Sequence, residues 1–253
     1  MPEPNLDSIQ YPKNFLSVVL LRLDYVQILS LIREEPAEFQ KSIAANFVLK
    51  KVTRQKTQIS SGENVIPDEK AEWEFTDKTG FYSLRLTNAE FILQCTRYTK
   101  FEDFYKMFEV GFSALMSIYK EFSPTRIGLR YVNDAIFENG NPFALEGYIQ
   151  PDLLTQLQAS FIKKNELTRQ IVQTHLLREN YAINFSYGVF NREYPAVVIN
   201  KEFVLDIDCY AKNPDADKIL PSLKLLHGVI QELFENSIGE KYRESVNSLI
   251  NKT

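Results

Sequence analysis

Asp206 and Asp208, two positions apart, are the most chemically suggestive pair in this sequence. In an extended segment alternate side chains share a face, which places the two carboxylates about 6–7 Å apart on one side. Such a pair suits a hard cation such as Mg²⁺ for phosphate chemistry, with Asn184 or Ser186 adding neutral oxygens. A solvated sheet face that alternates acids with apolar residues gives the same pattern. Arg126 and Arg130 also share a face, with Gly128 between them. Guanidinium forks match carboxylate or phosphate, and the glycine leaves room for a ligand or another backbone. Arg85 lies on the polar side of its own segment, and Asn133 is placed to end the arginine strand. Arg85, Arg126, Arg130 and Asn133 therefore form the expected anion- or partner-binding set. The competing reading pairs the arginines internally with Glu72, Glu74 or Glu90. Lys50, Arg54 and Lys56 share a face of residues 48–59 and are the candidate nucleic-acid contact. Charges of this kind also guard solvated or edge strands against unwanted pairing.

Catalytic signatures are missing around these residues, and no catalytic residue is assigned. His175 and His227 are the only histidines and lie in different segments, whereas zinc needs several close ligands. The nine glycines form neither a phosphate loop nor a dinucleotide fingerprint. Glu72 and Glu74 suggest the acidic strand of triphosphate-tunnel enzymes, but Thr76 stands where a basic residue would follow. Cys95 and Cys209 fall on apolar strand faces and read as reduced, buried thiols. The net charge of −4 gives no bulk reason to expect nucleic-acid binding. No apolar run has the length of a membrane span, and the first residues lack the pattern of a signal peptide. Cytoplasm is the expected setting, without membrane association.

The positioning elements follow from periodicity. Residues 15–23 read as a buried strand, 37–47 as a short helix and 48–59 as a strand. Gly62, Asn64 and Pro67 mark 60–70 as a loop. Strands are expected at 73–75, 81–87 and 90–98. A strongly amphipathic helix over 101–122 is expected to bury Phe101, Phe104, Tyr105, Phe108, Phe112, Leu115, Met116, Tyr119 and Phe122 at steps of three and four. Thr99 and Glu102 have capping-box spacing before it, and Ser237 and Glu240 repeat that spacing near the end. A strand over 126–133 and a short helix within 151–164 follow. Three strands come next, at 168–178, 181–190 and 201–211, before a helix carrying Leu223, Leu226, Ile230 and Leu233. Phe91, Leu93 and Cys95 precede the first long helix as Leu205, Ile207 and Cys209 precede the second. This echo predicts an α+β fold of two related halves, 1–145 and 146–253, each a mainly antiparallel sheet packed by a long amphipathic helix. At 253 residues the two halves could also be one continuous domain.

Trp73-Glu74-Phe75, Tyr98 with Phe101 and Phe104, and the run Pro124-Thr125-Arg126-Ile127-Gly128-Leu129-Arg130-Tyr131-Val132-Asn133 are followed near the end by Leu205-Asp206-Ile207-Asp208, Leu226-His227, Leu233-Phe234-Glu235 and Tyr242-Arg243. In order and spacing the chain resembles a sporadically distributed prokaryotic family of uncharacterised proteins of similar length. The resemblance spans nearly the whole chain and is most specific in the Arg126–Asn133 strand. It implies a cytoplasmic prokaryotic setting, and the family's patchy occurrence suggests mobile or defence-related genes. The expected function is a non-catalytic binding or assembly protein without a cofactor, acting on a protein partner or on another copy of itself. The alternative is a Mg-dependent enzyme or sensor for a nucleotide or other phosphate-bearing ligand.

Overall fold

A computed structural model describes residues 11, 13–61, 64–137, 140–157 and 163–247, with the side chains of residues 33, 55–61, 64–70 and 164 left aside. Among these, strands and helices follow in the order β1 (Leu16–Tyr25), α1 (Ser30–Arg33), α2 (Ala37–Ile43), β2 (Val48–Ser61), β3 (Asn64–Thr76), β4 (Tyr82–Leu86), β5 (Glu90–Cys95), α3 (Phe101–Ile118), β6 (Pro124–Ile136), α4 (Pro151–Thr155), β7 (Gln170–Leu177), β8 (Ala182–Val189), β9 (Glu202–Lys212), α5 (Ile219–Ser237) and α6 (Glu240–Asn247). The nine strands form one sheet in the order β2-β3-β4-β5-β1-β6-β9-β8-β7. β2/β3, β3/β4, β4/β5, β7/β8 and β8/β9 all pair antiparallel. The molecule is thus a mixed α/β protein built on one large antiparallel sheet. Two compact units divide it, and both are discontinuous in sequence. The first takes residues 1–19, 129–210 and 224–253; the second takes 20–128 and 211–223. The expected boundary between 145 and 146 falls inside the first unit.

The second unit grows from consecutive hairpins. Leu84 and Leu86 of β4 meet Leu93 and Phe91 of β5 in register, and all four are fully buried. α3 buries Phe104, Phe108, Phe112 and Leu115 of the expected face, leaves Phe101, Tyr105 and Met116 half-buried, and ends at Ile118 rather than at 122. The Phe91 and Phe108 rings meet edge to face at 5.8 Å. Gly111 lets the helix come this close. A Cβ there would stand 2.7 Å from Phe91 and 2.8 Å from Leu84.

Two local expectations are corrected in this unit. Residues 60–70 were expected as a loop, but β2 runs to Ser61 and β3 starts at Asn64, with Pro67 opposite Gln58. β4 pairs with β3 only from Trp73 to Thr76, so β2 is the registered neighbour at Pro67. A proline without an N–H is tolerated where one side of a strand makes no ladder. The Thr99–Glu102 capping box does not form either. Lys100 is the N-cap residue, and the Thr99 hydroxyl instead bonds the Asp103 carboxylate at 3.2 Å.

In the first unit, β7, β8 and β9 form a three-strand antiparallel set. Its aromatic cluster joins Phe15, Phe137, Phe234 and Tyr242, with ring centroids 5.4–5.7 Å apart for the three contacts made by Tyr242. Tyr11 adds an edge-to-face contact with Phe234 at 6.1 Å, and its hydroxyl donates to the Glu235 carboxylate at 2.8 Å. Ser237 was expected to cap α6. Its hydroxyl turns back to donate to the Leu233 carbonyl of α5 at 2.6 Å. Asn133 was expected to end its strand, yet β6 continues to Ile136 and Asn133 is buried at 4% exposure.

Candidate functional site

The first unit carries a ladder of polar side chains across three strands. Register places His175 opposite Asn184 and Asn184 opposite Asp208; Gln173, Ser186 and Asp206 form the next row. Alternation along β9 sends Leu205, Ile207 and Cys209 into the core and leaves the aspartates on the other face. Arg130 then forks onto Asp206, with Nε 2.7 Å from Oδ1 and Nη2 2.5 Å from Oδ2. This bidentate, charge-assisted geometry is the strong form of the pair. The hydrogen bonds that Arg130 donates to Asp206 hold its guanidinium further above its usual pKa. The Asn184 amide donates to Asp208 Oδ2 at 3.0 Å, and its oxygen meets His175 Nδ1 at 2.8 Å. An amide oxygen only accepts, so Nδ1 carries the proton in this contact. The Tyr210 ring lies nearly parallel to His175, 6.5 Å away.

This geometry links two residue sets that sequence reasoning kept apart. Arg130, expected to grip a ligand anion, holds the Asp206 carboxylate expected to ligate a cation. Asp208 is tied to the sheet through Asn184. Among the described residues, no group of three or more His, Cys, Asp or Glu side chains is arranged to hold a metal ion.

Arg85 and Arg126 belong to the second unit and meet different carboxylates. Arg85 Nε lies 3.6 Å from Glu72, and Arg126 Nη1 lies 3.8 Å from Asp24. The space over Gly128 is occupied by the Arg126 guanidinium itself, which a Cβ would meet at 3.1–3.2 Å. The glycine therefore makes room for its own neighbour's head group. Arg22, overlooked in the sequence, bridges Asp24 at 2.6 Å and Glu90 at 3.0 Å. Its position was legible, because Leu21, Leu23 and Tyr25 are buried and put Arg22 and Asp24 on the opposite face. On β2, Lys50 pairs with Glu74 at 3.0 Å and Arg54 with Glu35 at 3.1 Å. The Lys56 side chain lies outside the described residues.

His227 is buried beside Tyr131, whose hydroxyl lies 3.1 Å from Nδ1. Cys95 and Cys209 are free and buried, and burial pushes the Cys209 thiol up to about 12. Sequence reasoning also missed Glu202, an acid only 2% exposed at the start of β9. It accepts the Arg192 backbone N–H at 3.1 Å, while its second oxygen has no partner. Nothing in its local pattern distinguishes it from a solvated glutamate. Fold and site together define a mixed α/β protein whose half-exposed charges are organised as cross-strand ion pairs. No protein-family model matches the chain, and no curated protein matches it.

Proposed function

We propose that the chain is a non-catalytic assembly protein, of the prokaryotic family it resembles, whose β7 edge pairs with β7 of a second copy. The contrast between the two outer strands of the sheet supports this reading. β2 at one end carries Lys50, Lys51, Arg54 and Lys56. Basic residues on an edge discourage pairing with another chain. β7 at the other end reads Gln-Ile-Val-Gln-Thr-His-Leu-Leu, without proline, lysine, arginine or an acid. Gln173, Thr174, His175 and Leu177 are exposed, so both faces of this strand meet solvent, and Leu177 is 81% exposed. An edge strand of this kind offers backbone N–H and C=O groups to an added strand. Two copies meeting through the same strand give a closed, two-fold arrangement.

In this reading the arginines organise the sheet more than they grip a ligand. The same reading takes the two buried strand triplets, ending in Cys95 and Cys209, as matching parts of a duplicated sheet-plus-helix unit. Each triplet is at most 1% exposed, and a long helix follows each in sequence. Light scattering coupled to size exclusion tests the association. The expected result is a dimer that Leu177→Lys weakens at least tenfold without altering the circular dichroism spectrum. A strictly monomeric native chain at high micromolar concentration would overturn the proposal.

A further inference from the structure

The hairpin of β7 and β8 decides which backbone groups of β7 face outward. Across its turn the Arg178 N–H donates to the Tyr181 carbonyl at 2.9 Å. Residues 178 and 181 are therefore a hydrogen-bonded pair, and such pairs alternate with non-bonded ones along an antiparallel ladder. The register runs without a shift from Leu177–Ala182 to Gln170–Val189. Gln170, Val172, Thr174 and Leu176 thus turn their N–H and C=O groups toward β8. Ile171, Gln173, His175 and Leu177 turn theirs outward, where no strand lies beyond β7 among the described residues. The 2.8 Å contact between the His175 and Asn184 side chains fits this parity, because non-bonded pairs bring side chains closer. Just ahead of β7 the Leu167 carbonyl already accepts the Val198 N–H at 2.8 Å, so the open stretch begins with the strand itself.

Two copies related by a two-fold axis must match outward groups with outward groups. Full overlap, with Gln170 against the second copy's Leu177, fails because it faces outward Ile171 with inward Leu176. An axis at Thr174 succeeds. Ile171 then exchanges hydrogen bonds with the second copy's Leu177, and Gln173 with its His175, so every outward group of the strand is used. An axis at Gln173 would leave Leu177 beyond the partner strand, and an axis at His175 would leave Ile171 there. Side chains select the same register. Ile171 meets Leu177, Val172 meets Leu176, Gln173 meets His175 and Thr174 meets its own copy, so apolar and polar groups each find their kind. His175 Nδ1 donates to Asn184, which leaves Nε2 of the neutral ring to accept from the Gln173 amide.

We infer, resting on the strand-edge assembly proposed above, that the second copy docks antiparallel on β7 with the two-fold axis at Thr174.

Cysteine trapping reads this register. A non-bonded pair at the axis has Cα atoms about 4.5 Å apart, within disulfide range. The native Cys95 and Cys209 are buried, whereas Gln173, Thr174 and His175 are all exposed. Under mild oxidation Thr174→Cys is expected to form a covalent dimer, reversed by reductant, at least tenfold faster than Gln173→Cys or His175→Cys alone. An equimolar mixture of those two variants, one carrying a size tag, should give the mixed dimer. Faster self-crosslinking by Gln173→Cys or His175→Cys would move the axis and overturn the inference. A native dimer in which none of the variants crosslinks would overturn it too, while leaving the association standing. A native chain that light scattering finds monomeric at high micromolar concentration removes the assembly and the register together.

Discussion

Arg130 and Asp206 make a bidentate contact on the sheet face, and its value can be measured. The Arg130 side chain is about half exposed, while Asp206 is only 14% exposed. Water screens such a pair, but bidentate geometry places it at the upper end for surface ion pairs. A double-mutant cycle of Arg130→Ala and Asp206→Ala in urea unfolding should give a coupling of about 1 kcal/mol. A value indistinguishable from zero would mean that the fork is geometrically neat but energetically idle. Glu202 gives a pH signature of a different kind. Burial raises its pKa, helped by the Asp134 carboxylate and opposed by hydrogen bonds from the Arg192 and Asn191 backbone and by the Arg192 charge. A group whose folded pKa is raised ionises first in the unfolded chain. Its penalty on the native state is absent below the unfolded glutamate pKa, grows with rising pH and is complete above the folded value. Glu202→Gln should therefore gain stability relative to the native chain between pH 4 and pH 7. An unchanged difference across that range would contradict the assignment. At this scale the sequence located charges well and partners poorly. Arg130 was placed on the polar face by alternation alone, but Asp206 lies 76 residues away, and only the sheet makes them neighbours.

Helix α3 was the most legible element because its signal is local. Phe104, Phe108, Phe112 and Leu115 repeat at helical spacing, and the buried face is the expected one. Gly111 was silent in that pattern. Helix propensity favours alanine there by about 1 kcal/mol, but the Cβ would press on Phe91 and Leu84, both fully buried. Overpacking of this kind costs about 1–3 kcal/mol. Gly111→Ala is expected to lower the urea midpoint, and a raised midpoint would show that the neighbouring side chains yield freely. The hairpin of β2 and β3 was misread for a related reason. Gly62, Asn64 and Pro67 are turn formers, but thirteen register pairs, from Val48–Thr76 to Ser61–Asn64, outweigh them. The two capping boxes failed because their hydroxyls found alternatives, Asp103 for Thr99 and the Leu233 carbonyl for Ser237. A spacing rule marks which groups can meet; competing acceptors decide which do.

For the whole molecule, α+β character was readable and the strand order was not. β1 lies between β5 and β6 in the sheet, and β9 follows β6 directly. These placements rest on long-range pairing that no local period encodes. The same cause makes both compact units discontinuous, since β1, β6, β9 and α5 each contribute to both. Edge chemistry is the exception, because the basic residues of β2 and the uncharged run of β7 are visible in the sequence once the order is known. One further consequence comes from Tyr11. Its hydroxyl is fastened to Glu235, which also receives the Arg243 guanidinium at 3.0 Å. A protease that clipped just beyond that tyrosine would strip a plug from the Phe234 ring and leave the carboxylate with one clasp instead of two. Tyr11 is thus a bolt on a helix more than two hundred residues downstream, and only a variant that keeps this tyrosine keeps both clasps on Glu235.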